Sequence, residues 1–84
     1  MHQKGRMLMS DLYPLTRLKT DECARVAALT TKGTMRRRLQ DMGLVEGTRI
    51  RCVLKGPGGD PIAYQIRGAV IALRAEDANT VFVT

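Results

Sequence analysis

From residue 48 to residue 55 the chain alternates: Ile50, Cys52 and Leu54 fall on one side, with Arg49, Arg51 and Lys55 among the other positions. A period of two predicts a strand with one buried and one solvated face, as in an antiparallel sheet. IAYQIR (62–67) repeats the pattern with Ile62, Tyr64 and Ile66 on one face. VIALR (70–74) and TVFVT (80–84) read as two further strands. ECARVAALT (22–30) reads as the first, with Ala24, Val26 and Ala28 facing one way. Glu46-Gly47, GPGGDP (56–61) and Gly68-Ala69 supply the turns, and AEDAN (75–79) has room for one helical turn. Ahead of these, Leu12, Leu15 and Leu18 recur at spacing three around Pro14, which suits a single 3₁₀ turn that lids a core.

The period changes once. In TMRRRLQDM (34–42), Met35, Leu39 and Met42 recur at i, i+4 and i+7 and make an apolar helical stripe. Thr34 is placed to cap its start. Gly43 stands where a left-handed residue stops a helix, and Leu44 after it can fold back onto Leu39. A helix this short is marginal alone and must lean on a sheet.

Five short strands and one short helix after the first strand, in 84 residues, predict an all-β domain: a small antiparallel barrel, with SH3-like and OB-like forms both fitting. Residues 11–84 form this one domain, and residues 1–10 are a flexible leader outside it. The leader lacks the apolar core of a signal peptide, and no apolar run is long enough to span a bilayer, so a cytoplasmic protein is expected. An open barrel edge could pair with a second copy of itself.

Charge narrows the partners without choosing one. Fourteen Lys and Arg against eight Asp and Glu give +6, which fits a nucleic acid, an anionic membrane face or an acidic protein surface, and also serves solubility. Nucleic acid is not expected, because Tyr64 and Phe82 fall at core positions and leave no stacking platform. Catalysis is not expected either. The one histidine is His2, in the leader, and Asp21-Glu22 and Glu76-Asp77 are neighbours that face apart in strands or turns. Cys23 and Cys52 match no zinc spacing and read as buried thiols, so neither a metal site nor a cofactor is expected. GPGGDP lacks the Lys-Ser/Thr and the following helix of a phosphate loop and reads as an exposed hairpin loop, which can also touch a partner.

The run Arg36-Arg37-Arg38 is the densest charge feature. At about 100° per residue the three cannot all face one ligand. Either the cluster docks an acidic surface or phosphates, or it is a solvated helix face with one arginine held structurally, for example by Asp41.

In order along the chain, Leu15-x-x-Leu18, Ala24-x-Val26, RRLQDMGLVEG (37–47), GDPIAYQIRGAVIALR (59–74), Ala78 and Val81-x-Val83 together resemble the ferrous iron transport protein A (FeoA) family, across about residues 11–83. The resemblance implies an SH3-like barrel, cytoplasmic and without catalysis. It implies a role in iron homeostasis, where transition metal ions are the cargo, as an accessory partner of the membrane ferrous iron transporter FeoB, whose cytosolic part carries a GTP-binding domain. A related domain ends iron-dependent repressors, so a stand-alone metal-sensing domain is the alternative beside a small nucleic-acid-binding module. The absence of a winged-helix segment favours the transporter partner. The sequence departs from the family pattern at Asp21, where glycine is usual before the first strand. For partner binding the expected contacts are Arg36 and Arg37 on the helix and Gly58, Gly59 and Asp60 in the loop. Leu39, Gly43, Leu44 and Gly47 are assigned to the fold.

Overall fold

The computed structural model describes residues 11–84; the proposed leader, residues 1–10, lies outside them. The alternating segments become strands β1 (Tyr13–Pro14), β2 (Cys23–Leu29), β3 (Arg49–Lys55), β4 (Ile62–Ile66), β5 (Ala69–Leu73) and β6 (Val81–Val83), with helix α1 (Gly33–Asp41) after β2 and the short α2 (Ala75–Ala78) before β6. All pairings are antiparallel and the order is β1-β6-β2-β3-β4-β5, so the last strand in the chain sits inside the sheet. The sheet curls around a core of Leu15, Leu18, Val26, Leu39, Leu44, Ile50, Cys52, Tyr64, Ile66, Val81 and Val83, each at most 2% exposed. Among the described residues β1 and β5 are its two edge strands.

One strand more is present than the alternation predicts. β1 has only two residues, one of them Pro14, which suits an edge because proline has no N–H to give a ladder. The 3₁₀ turn Leu15–Arg17 follows it and buries Leu15 and Leu18 as a lid.

Two bulges correct the predicted faces. Between Val26 and Ala28 the β2–β6 register slips, so Ala28 lies opposite Phe82 and is exposed while Leu29 turns inward opposite Val81. Between Cys52 and Leu54 the β3–β4 register slips likewise; Leu54, expected inside with Ile50 and Cys52, is 63% exposed. An extra residue on one strand reverses which face every later side chain takes. Phe82, expected in the core, is half-buried on the outer side with Ala28, because Val81 and Val83 take the inward positions of β6.

The helix stop is a Schellman ending. Gly43 N donates to the Gln40 carbonyl at 2.9 Å and Leu44 N to the Leu39 carbonyl at 3.0 Å, with Leu39 and Leu44 both fully buried. The other end differs from expectation. Lys32 is the N-cap and makes no side-chain cap, while Thr34 lies inside the helix. Of the predicted stripe only Leu39 is buried; Met35 is half-buried and Met42, at the C-cap, is 40% exposed. The β4–β5 turn sits one residue earlier than predicted, on Arg67 (φ +51°) and Gly68 (φ +82°). Positive φ at both positions is what a two-residue turn needs to match the strand twist. Asp21, at φ +72°, takes the left-handed conformation that a glycine would have supplied.

Candidate partner-binding surface

Three places on this scaffold carry groups that a partner could use. The first is α1. Arg36 Nη1 donates to the carbonyls of Leu29 at 2.8 Å and Thr31 at 3.3 Å. This arginine ties the helix to the end of β2, and it does so through backbone carbonyls and not through Asp41. Arg37 and Arg38 are exposed, with no side-chain hydrogen bond or ion pair among the described residues.

The second is the loop after β3. Gly56 N donates to the Pro61 carbonyl and Gly59 N to the Gly56 carbonyl, both at 2.8 Å, which closes a tight turn with Gly58 at φ +70° and Gly59 at φ +84°. The Asp60–Pro61 peptide is cis. Asp60 Oδ1 accepts from Ala75 N at 3.0 Å, satisfying a first-turn amide of α2, whose N-cap Arg74 supplies no side-chain cap. Asp60 is therefore built into the fold while Gly58 forms the exposed tip. The helix and the loop are not brought together. α1 joins the end of β2 to the start of β3, whereas the loop leaves the far end of β3.

The third place was not picked out from the sequence. On the outward face of β2 and β3, Cys23 lies opposite Arg51 and Arg25 opposite Arg49. Gln65 on β4 lies opposite Arg51, and Arg67 follows at the turn. Shallow hollows lined by Cys23, Arg49, Arg51, Gln65 and Arg67, by Cys23, Arg25 and Arg49, and by Glu46, Thr48, Arg49 and Arg67 merge around Arg49. Two carboxylates border this patch. Asp21 meets Arg51 at 3.6 Å, and Glu46 lines the third hollow. Arg25 Nη1 donates to the Gly47 carbonyl at 2.9 Å. Among the described residues Arg25, Arg49 and Arg67 have no ion pair. Directly opposed like charges destabilise a sheet, so a face of four arginines with one ion pair is an arrangement that folding alone does not favour.

The same face turns apolar beyond the β3 bulge. Leu54, Ala63 and Ala72 form a cross-strand row, and Val70, 60% exposed, lies opposite Gln65. On the other side of the barrel Leu12, Ala28, Thr30 and Phe82 line a second apolar hollow.

The cysteines do not behave as a pair. Cys52 is fully buried, as expected, but Cys23 is exposed, because the alternation that puts Ala24 and Val26 inside puts Cys23 outside. The two thiols point to opposite faces and cannot share one ion. Among the described residues no three His, Cys, Asp or Glu side chains converge. Among the described residues Tyr64 is the one group with a strongly displaced pKa. Burial, reinforced by the neighbouring Cys52, pushes its phenol well above the usual tyrosine value, and the hydroxyl donates to the Leu15 carbonyl at 3.4 Å. It is a core residue. No helix among the described residues is long and apolar enough to cross a membrane.

Comparison with known proteins agrees with the architecture. The FeoA domain model matches residues 13–84. A curated relative from Porphyromonas gingivalis, an Fe(2+) transport protein A/Fe(2+) transporter FeoB fusion protein, is 35% identical over 69 residues; the match takes in 82% of this chain but only 8% of that protein. Among solved structures, the FeoA-like protein of Clostridium acetobutylicum superposes with a TM-score of 0.79 at 33% identity, covering 87% of this chain and 85% of that one. The FeoA of Stenotrophomonas maltophilia, solved in complex with zinc and described as a prokaryotic SH3 domain protein, superposes at 0.76 with 33% identity over 84% and 88% of the two chains.

Proposed function

The chain belongs to the FeoA domain family, and on that premise we propose that it is a non-enzymatic accessory protein of ferrous iron uptake, working on the cytosolic side by docking onto a FeoB-type transporter. The observation that carries this reading is the Porphyromonas gingivalis relative, in which the two functions share one polypeptide. A covalent link holds a domain near its target at an effective concentration of order millimolar for a short flexible linker. Tethered or separate, the domain meets its target through a contact surface. A small barrel with a rigid core and charged faces is suited to this.

The helix and loop residues divide by what they have left to offer. Arg37 and the Gly58–Gly59 tip are exposed, or partly so, and free to touch a partner. Arg36 and Asp60 act by holding the helix and the loop in place. The test is retention of the detergent-solubilised transporter of the same organism on the immobilised chain. The expected result is retention of the transporter, reduced by Arg37→Glu. A transporter that flows through beside wild-type protein refutes the reading.

A further inference from the structure

We propose that the outward face of β2–β4 is a docking groove for an extended acidic protein segment, with two carboxylates at alternate positions and an aliphatic side chain three residues on. The inference rests on the docking role above and names the chemistry of the contact. Its origin is the order of groups along β3. Arg49 and Arg51 are two residues apart on one face, which sets their stems about 6.4–6.8 Å apart. Carboxylates at i and i+2 of an extended segment have the same spacing. Beyond Arg51 the bulge re-aims Leu54 outward, and Ala63 and Ala72 continue its row across β4 and β5. A segment laid along β3 therefore meets two guanidinium groups and then an aliphatic shelf. Arg25 and Arg67 flank the charged end from β2 and the β4–β5 turn. Each guanidinium offers a planar fork that fits a carboxylate through two hydrogen bonds.

Other anionic partners fit less of this face. A single-stranded nucleic acid gains much of its sequence-tolerant affinity by stacking on exposed aromatics. The described aromatics lie elsewhere, with Tyr64 in the core and Tyr13 and Phe82 on the β1–β6 side. A phosphate-only ligand leaves the Leu54 row uncovered. Exposed aliphatic groups contiguous with a charged cluster are what a protein interface uses, the first as its core and the second for steering and register.

Cys23 gives the test a built-in reporter. It is the exposed thiol, inside the patch, and Cys52 is buried. The full chain is alkylated in the presence of a synthetic peptide with Glu at i and i+2 and Leu at i+5. The comparison ligands are the same peptide with Leu replaced by Ser, poly(U), and phosphatidylglycerol vesicles. The Glu/Leu peptide is expected to slow Cys23 alkylation most, the Ser version less. Arg49→Glu with Arg67→Glu is expected to weaken peptide binding at least about tenfold, while the double variant keeps its wild-type circular dichroism. Arg49→Gln is expected to give a smaller loss of binding in the same direction without introducing a charge. Stronger protection by poly(U) or by vesicles overturns the proposal, as does indifference to the arginine substitutions. The transporter separates this proposal from the docking role. If wild-type and patch-variant chains retain it equally, with Cys23 unprotected, the groove is wrong and the docking role stands. If the peptide protects Cys23 while the transporter flows through, the groove stands and the docking role falls.

Discussion

Replacing Gly43 with alanine probes the point where α1 is fastened to the sheet. Gly43 has φ +107°, and a Cβ built there stands 2.9 Å from Cγ2 of Ile66 and 3.5 Å from Cδ of Arg67. An L residue with a left-handed backbone costs ~1–2 kcal/mol. Non-bonded carbons prefer about 3.5–4.0 Å, and forcing an extra methyl into a packed site costs ~1–3 kcal/mol. Against this, alanine stiffens the unfolded chain and returns about 0.4–1 kcal/mol. The net loss is about 1–4.5 kcal/mol, against a total of about 4–12 kcal/mol for a domain of this length. For a domain this small the melting temperature falls by about 4–8 °C per kcal/mol, so a drop of about 4–36 °C is expected by circular dichroism. Gly47→Ala is the internal control. Gly47 has φ +88° with nothing within 4 Å of its Cβ position, so it carries the backbone cost alone, about 1 kcal/mol. Equal melting of the two variants would mean that Ile66 yields without cost. A Gly43→Ala protein that melts with wild type would mean that the helix does not end as described.

Three further outcomes are expected. Tyr64→Phe should flatten the alkaline limb of stability. The raised phenol pKa keeps the folded state protonated while the unfolded state ionises, so wild type should lose up to about 1.4 kcal/mol per pH unit as pH rises above about 10, and the variant should not, as read by urea melts across that range. Asp60→Ala should lower stability by about 1 kcal/mol through loss of the acceptor for Ala75 N, and Asp60→Asn should recover most of it; equal melts for the two would show that the bond contributes nothing. Arg49→Gln should leave stability unchanged or raise it by a few tenths of a kcal/mol, since it removes the like charge opposite Arg25; a loss above about 1 kcal/mol would place Arg49 among the residues that hold the fold.

The sequence was most legible where one periodicity ran without interruption. The body of β3, all of β4, and the end of α1 at Gly43 follow from alternation, helical spacing and a left-handed stop. Bulges were invisible, because an inserted residue leaves composition untouched and only reverses the faces beyond it; Ala28 and Leu54 were misplaced for that reason. The site was harder to see than the fold. Three consecutive arginines on α1 are the densest charge in the sequence, yet consecutive helical residues splay, and Arg36 is tied to backbone carbonyls. The arginines that do cluster are dispersed in sequence at 25, 49, 51 and 67 and are gathered by strand pairing. One clue was available. Outward parity on β2 and β3 puts Cys23, Arg25, Arg49 and Arg51 on wet faces, but their being neighbours depends on a register that a single sequence does not reveal.

The place of β6 bears on how the domain is made. Because Val81–Val83 lie between β1 and β2, these two strands have no partner on that side until β6 has left the ribosome. A nascent chain halted before that point exposes Val26 and the inner wall of β2. Pairings this distant along the chain are slow to form, which makes the interval before β6 emerges the one in which newly made copies are most open to misassociation.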